Sequence, residues 1–318
     1  MEGRKQLVVV ALGGNAILQP GQQGTFEEQM QNVSVTCEQL ARMVESGKYK
    51  IVVTHGNGPQ VGNLLLQNEA GRDVAAPMPL FVCGAESQGL IGLMIQQNLT
   101  NLLAARGKGD VPIATVVTQV VVDKNDEAFV HPTKPVGPFY DEEKARSLET
   151  EKGYDVREDA GRGWRRVVPS PDPIEIVEKE AIRQLVDARS IVIASGGGGI
   201  PVIRAEGALH GVDAVIDKDL AGERLAADVD ATIFMILTDV ESVRLHYRTP
   251  EEKALSTMTV EEAKQYLGEG HFAKGSMEPK VRAAIRFIDA GGERAIITSL
   301  HKALDALEGK AGTTITKE

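Results

Sequence analysis

Residues 8–17 read VVVALGGNAI, an apolar run opened by three consecutive valines that stops at Gly13, Gly14 and Asn15. A run this short, rich in β-branched residues and bounded by glycine, reads as a strand buried on both faces, which is what a parallel sheet demands. Glycine lets the chain turn sharply and bring backbone N–H groups close to a ligand, and Asn15 adds an amide donor. Open α/β sheets bind ligands beyond the carboxyl ends of their strands, so this turn is expected to handle phosphate. The theme returns twice. Residues 51–54 (IVVT) run into His55, Gly56, Asn57 and Gly58, with Pro59 where a helix would begin, and residues 191–194 run into Ser195 and four glycines that include Gly198 and Gly199. Proline suits a first helical turn, because the N–H it lacks has no partner there. Helical periodicity covers 25–45, 60–68, 84–103 and 174–188. Strands alternating with helices predict a mainly parallel α/β sheet with helices on both faces.

At 318 residues the chain is long enough for one large domain, residues 1–318, with an insertion. The formal charge of −10 argues against nucleic acid, which needs a basic face. Two cysteines, Cys37 and Cys83, make no disulfide framework and read as buried thiols of a cytoplasmic protein. The charged start has no signal-peptide pattern. The longest apolar run, 113–122, reads as a strand; Thr115, Thr118 and Gln119 interrupt it, and it is too short to span a bilayer. Residues 123–172 hold five prolines, many charges and the only tryptophan, Trp164, and read as an excursion from the sheet, a subdomain or lid. Further on, 232–237 reads as a strand ending at Thr238 and Asp239, 281–290 as a helix, 295–298 as a strand, and 313–316 as a last strand at the sheet edge.

The candidate chemistry is cationic. Lys218 sits between Asp217 and Asp219 after apolar residues, so it either meets an anion or closes a local salt bridge at a helix start. Lys280 follows Pro279 at a helix head, where a positive charge does not help the helix; a solvated surface lysine is the plain alternative. Lys134 lies between Pro132 and Pro135 on stiff backbone. The remaining histidines have no paired zinc spacing, and neither a GxSxG elbow nor a GxxxxGK[ST] loop is present. What remains is phosphoryl transfer by positioning and charge neutralisation, without a covalent enzyme intermediate.

Taken together, VVVALGGNAI, VVTHGNGPQVGNLLL, HPTKPVGPFY, EDAGRGWRRVVPSP, ASGGGGIPV, AVIDKDLAGERLA and HFAKGSMEPK resemble the carbamate kinases of the amino-acid kinase superfamily, in order and over nearly the whole chain. The resemblance implies a three-layer α/β/α sandwich with a protruding subdomain, acting as a homodimer. It implies reversible phosphoryl transfer between ATP and carbamate with Mg²⁺, run toward ATP in arginine fermentation. It implies that Lys218 and Lys280 stabilise the transferring phosphoryl group, that Asp217 organises them, and that Lys134 reaches in from the subdomain. Gly13, Gly14, Asn15, His55, Gly56, Asn57, Gly58, Gly198 and Gly199 would cradle substrate and phosphate. Thr238, Asp239, Tyr247, Ala273, Lys274, Gly275, Ser276 and Met277 would hold the nucleotide, and no protein metal site is implied. Glu278, in the variable slot of the last motif, stands where it would tune Lys280. Two alternatives remain: a related kinase acting on another carboxylate such as N-acetylglutamate, and a non-catalytic ligand-binding paralogue.

Overall fold

The valines that open the chain show why the sheet forms where it does. Successive strand residues point to opposite faces: Val9 and Ala11 enter one buried apolar cluster, while Val8, Val10 and Leu12 enter the other. The computed structural model describes residues 5–159 and 161–318; part of the charged start read for a signal peptide, residues 1–4, lies outside them. Among the described residues, eight strands form the main sheet in the order Thr257–Thr259, Thr313–Thr316, Arg294–Ser299, Ile233–Thr238, Gln6–Leu12, Tyr49–His55, Ile191–Ile193, Ile113–Thr115. Every neighbouring pair is parallel except Arg294–Ser299 with Thr313–Thr316.

The helices are α1 (Phe26–Glu45), α2 (Gly58–Ala70), α3 (Leu80–Ala105), α4 (Glu142–Lys152), α5 (Lys179–Asp187), α6 (Lys218–Asp228), α7 (Val260–Gly268), α8 (Met277–Asp289) and α9 (Ala303–Leu307). Apolar residues of α1, α3 and α9 cover one face of the sheet, and those of α5 to α8 cover the other. This is the expected three-layer sandwich.

Several boundaries differ from the sequence reading, each for a tertiary reason. The run 113–122 is two strands in two sheets. Ile113–Thr115 edges the main sheet, whereas Gln119–Val122 joins a second sheet with Ile200–Ala205, Ala208–Gly211 and Pro173–Ile176. Between them the buried Gln88 side chain accepts from Thr118 N–H and donates to Thr118 C=O, and that carbonyl also accepts from Ile200 N–H of the second sheet, so the chain changes sheets at Thr118. The helix expected over 174–188 begins only at Lys179, because buried Pro173 and Ile176 flank exposed Ile174 in a strand pattern. Helix α8 starts at Met277, so Lys280 lies within its first turn. Thr313–Thr316 is not the edge strand; Thr257–Thr259 lies outside it.

Within the excursion, Lys134–Tyr140, Trp164–Val168 and Asp155–Glu158 form an antiparallel three-stranded sheet, with α4 beside it. It meets the main body at a small cluster of Val61, Leu80, Cys83, Val136 and Val168. A Cβ on Gly62 of α2 would lie 3.4 Å from Gly137 Cα, so glycine at both positions lets the two backbones pass closely.

Candidate active site

Because the central strands are parallel, the turns at Gly13, Gly56 and Ser195 all leave the sheet at its carboxyl edge. Gly13 N–H donates to Leu237 C=O, and Gly56 N–H to Leu12 C=O, which ties the two glycine turns to each other and to the strand before Thr238. A cleft of about 580 Å³ opens above them. Its floor includes Gly14, Gly56, Asn57, Gly58 and Gly197, one wall is Lys134 to Pro138 with Arg165, and the other carries Asp217, Lys218, Asp219, Gly275 and Lys280. Positions 134, 218 and 280 thus share one cavity.

The four-glycine turn explains how the second wall is held. Gly198, at φ +94, packs so tightly that a Cβ would sit 2.3 Å from Ile216 C=O. It therefore supports the segment that delivers Asp217, the N-cap of α6, whose Oδ1 accepts from Asp219 N–H at 2.9 Å. The Lys218 stem lies over Gly56, where a Cβ would come within 3.2 Å of it.

The charges are paired, though not as expected. Lys134 Nζ donates to Asp217 Oδ2 at 2.8 Å, across the two walls. It is Asp219, not Asp217, that gathers the other two lysines. Lys218 Nζ donates to its Oδ1 at 2.7 Å and Lys280 Nζ to its Oδ2 at 3.2 Å. The reason lies in the helix start: Asp217 caps the helix from outside, whereas the next acid along the turn points inward and is buried. Burial pulls the Asp217 carboxyl upward, but Lys134, Lys218 and the Asp219 N–H outweigh it, and it ends below the usual carboxylate range. Lys280 also donates to Ser276 C=O at 3.1 Å, while Glu278 pairs with Arg282 rather than with Lys280.

Apart from Gly275, the other expected residues fall around the cleft rather than in it. His55 is 1 % exposed beneath the floor, its Nδ1 3.0 Å from Gly56 C=O and its ring against Gly196, where a Cβ would lie 2.4 Å from Nε2. Burial drives its pKa down to about 4, so the ring is neutral and structural. Gly199 packs on Val120 and, like Gly198, shapes the turn from below. Gly13 and exposed Asn15 stand beside Gly14, outside the cleft lining. Thr238 donates to Asp239, and Gly13 packs against both Leu237 and Thr238. Ala273, Lys274 and Gly275 form the turn before α8: Ala273 C=O accepts from Ser276 and Glu278 N–H, and Met277 packs on the core. Tyr247 is exposed under the Arg248 guanidinium.

Asp219 and Arg165 in the walls, and Ser87 behind Asn57, were absent from the expected site. Arg165 donates to Gly137 C=O through Nε and Nη2, which fixes the wall that carries Lys134. Asn57 is held by donation to Ser87 Oγ at 2.7 Å. The sequence signal for Asp219 was capping logic, since an aspartate that caps a helix spends one oxygen on the N–H two or three residues on.

The sequence profile of the amino acid kinase family matches residues 6–299. The chain is 61% identical to the carbamate kinase of Thermococcus kodakarensis, over 98% of this chain and 99% of that one. It is 59% identical to the carbamate kinase of Pyrococcus furiosus, over 97% and 98%. The carbamate kinase of Giardia lamblia bound to AMP-PNP superposes with a TM-score of 0.93 at 48% identity, covering 99% of both chains. With its sheet-edge cleft and the lysines gathered there, the chain belongs to the amino acid kinase family, among the carbamate kinases.

Proposed function

We propose that this protein transfers a phosphoryl group reversibly between ATP and carbamate, and that Lys134, Lys218 and Lys280 neutralise the charge in transit. The observation that carries the reading is the convergence of these lysines, from sequence positions far apart, on one glycine-floored cleft. A β-phosphate oxygen of ADP attacks the phosphorus of carbamoyl phosphate, and the bond from phosphorus to the carbamate oxygen breaks. Such transfer gives the protein little covalent work; the barrier falls by aligning two anions and cancelling their repulsion. Asp219 keeps Lys218 and Lys280 adjacent despite their like charge, and the open turns at Gly14, Gly56 and Gly58 let backbone approach the phosphate. Thr238, Asp239, Tyr247 and residues 273–277 are the proposed nucleotide contacts. The AMP-PNP bound by the Giardia lamblia relative supports a nucleotide ligand for this chain.

Among the described residues no group of three His, Cys, Asp or Glu is placed to hold a metal, and Asp217 and Asp219 are engaged by lysines. This donor set fits Mg²⁺ carried by the nucleotide phosphates, as hard, strongly hydrated Mg²⁺ prefers, and there it would neutralise phosphate charge. We further propose a homodimer, the arrangement that the resemblance to the carbamate kinases implies. Among the described residues no helix is long and apolar enough to cross a membrane, and two free, buried thiols support a cytoplasmic setting.

The test supplies carbamoyl phosphate with Mg·ADP, and in parallel N-acetylglutamate with Mg·ATP, and follows the nucleotide. ATP from the first mixture only, with kcat lowered on the order of 100-fold or more in Lys218→Ala while KM for ADP holds, is expected. Turnover of N-acetylglutamate alone would move the assignment to that substrate class.

A further inference from the structure

The cleft is assembled from two bodies, and something must fix their mutual position. Lys218 and Asp219 start α6, Lys280 lies in the first turn of α8, and Lys134 comes from the excursion. About six residues beyond Lys280 along α8, roughly 9 Å at the helical rise, Arg286 reaches the base of the excursion. Its Nη1 lies 2.9 and 3.0 Å from the two carboxylate oxygens of Asp172. Asp172 in turn donates its N–H to Asp126 Oδ2 at 2.9 Å, so the outgoing and returning arms are joined at the same point.

The other side of Arg286 faces α6. Its Nε lies 3.1 Å from Oε2 of Glu223, a carboxylate with 2% of its side chain exposed. That oxygen has no aligned hydrogen bond, so the guanidinium charge is its compensation. A buried carboxylate is costly without a cation, which pins Arg286 against α6 and leaves its outer nitrogen aimed at Asp172. A second tie runs parallel: Ile176 N–H, on the returning arm, donates at 2.7 Å to Asp228 Oδ2 of α6, and Arg224 pairs with the other oxygen at 2.9 Å. None of these groups lines the cleft.

We propose that Arg286 is a positioning residue for phosphoryl transfer: by gripping Asp172 while facing Glu223, it clamps the base of the excursion to α6 and α8 and sets where Lys134 stands relative to Lys218 and Lys280. The inference rests on the reading of these lysines given above. As a stabilising contact alone the clamp would matter little, because the Asp172 side chain is 61% exposed and exposed ion pairs stabilise little.

Asp172→Asn tests it without stranding the buried Glu223 charge, as Arg286→Gln would. Steady-state ATP formation from carbamoyl phosphate and Mg·ADP is compared in the unaltered protein, Asp172→Asn, Lys134→Ala and the double variant, each with its melting temperature. The expected result is a kcat about three- to tenfold lower in Asp172→Asn, as for coupling through packed elements, with KM for ADP and the melting temperature unchanged. In the Lys134→Ala background the same substitution then has no further effect, because the group it positions is gone. Unchanged kcat in Asp172→Asn, or an equal loss with and without Lys134, overturns the proposal. Full turnover in Lys134→Ala itself would instead overturn the reading of the cleft on which it rests.

Discussion

The main sheet and the three-stranded sheet of the excursion are both β-structure, yet they cohere by different physics. In the main sheet both faces are apolar: Val8, Val10, Ile51 and Met235 fill one side, and Val9, Val52, Phe234 and Ile236 fill the other. The excursion has too few residues to bury such a core. It buries only a small apolar set, with Ala145, Leu148, Val156 and Val167 in it, and also lays guanidinium groups on aromatic rings, Arg166 over Tyr154 at 4.1 Å, Arg146 over Trp164 at 4.4 Å and Arg165 over Phe139 at 5.0 Å. Cation–π contacts are worth about 0.5–2 kcal/mol each, well below a buried aromatic side chain. The division teaches that the glycine floor is held rigidly, while the wall with Lys134 is held only as firmly as its clamps.

The main sheet should lose most when its apolar core is cut. Phe234 is fully buried, 5.7 Å from the Phe287 ring and against Gly222 of α6. Phe234→Ala is expected to lower global stability by about 3–5 kcal/mol, measured by denaturant unfolding. A loss below about 1 kcal/mol would mean that this core is not what holds the sheet.

Acid separates the two regions next. His55 has its pKa lowered from 6.5 to about 4, so the folded state resists protonation. Its contribution is complete above pH 6.5 and is lost as pH falls toward 4, at roughly 1.4 kcal/mol per pH unit at most. The Lys134–Asp217 contact responds lower. The Asp217 carboxyl lies below its ordinary 3.8, so that contribution is complete above pH 3.8 and is lost as pH falls from there through the lower folded value. His55→Gln should therefore flatten the stability profile between pH 6.5 and 4; a profile that keeps its slope there would assign the loss to another group.

The smallest expected effect is local. Trp164→Ala removes the ring under Arg146 and should cost about 1–2 kcal/mol, felt as opening of the excursion rather than as global unfolding. Cys83 reports it, because its thiol sits in the cluster with Val136 and Val168, whereas Cys37 lies in the main core. Burial raises both thiols, Cys37 to about 12. In Trp164→Ala, Cys83 should react faster with a thiol reagent by about tenfold while Cys37 stays protected. Equal acceleration at both cysteines would show that the two regions open together.

Much of this was legible in the chain because it rests on local rules. Three valines followed by two glycines announce a buried strand and its turn, and Thr25 with Glu28 closes a capping box at the start of α1. The change of sheet at Thr118 was not legible, since it depends on Gln88, thirty residues away, whose side-chain amide holds both Thr118 N–H and Thr118 C=O. Helix α4 could have been read: Asp141 caps it, Glu142 and Glu143 follow, and Gly153 ends it at φ +66. Prolines and charges across 123–172 obscured it. The lysines stood out as misfits in apolar or helix-start positions, but which aspartate gathers them depends on the direction each carboxylate faces. The family resemblance gave that role to Asp217; the helix cap, which holds Asp217 outside, leaves it to Asp219.

The central claim is that the loosely held region supplies a charge on which the rigid one depends. Its most direct test is the steady-state rate of ATP formation from carbamoyl phosphate and Mg·ADP in Lys134→Ala. A kcat lower on the order of 100-fold or more is expected, with KM for ADP and the melting temperature close to those of the unaltered protein. A kcat within about twofold of the unaltered protein would mean that the excursion covers the cleft without taking part in the transfer.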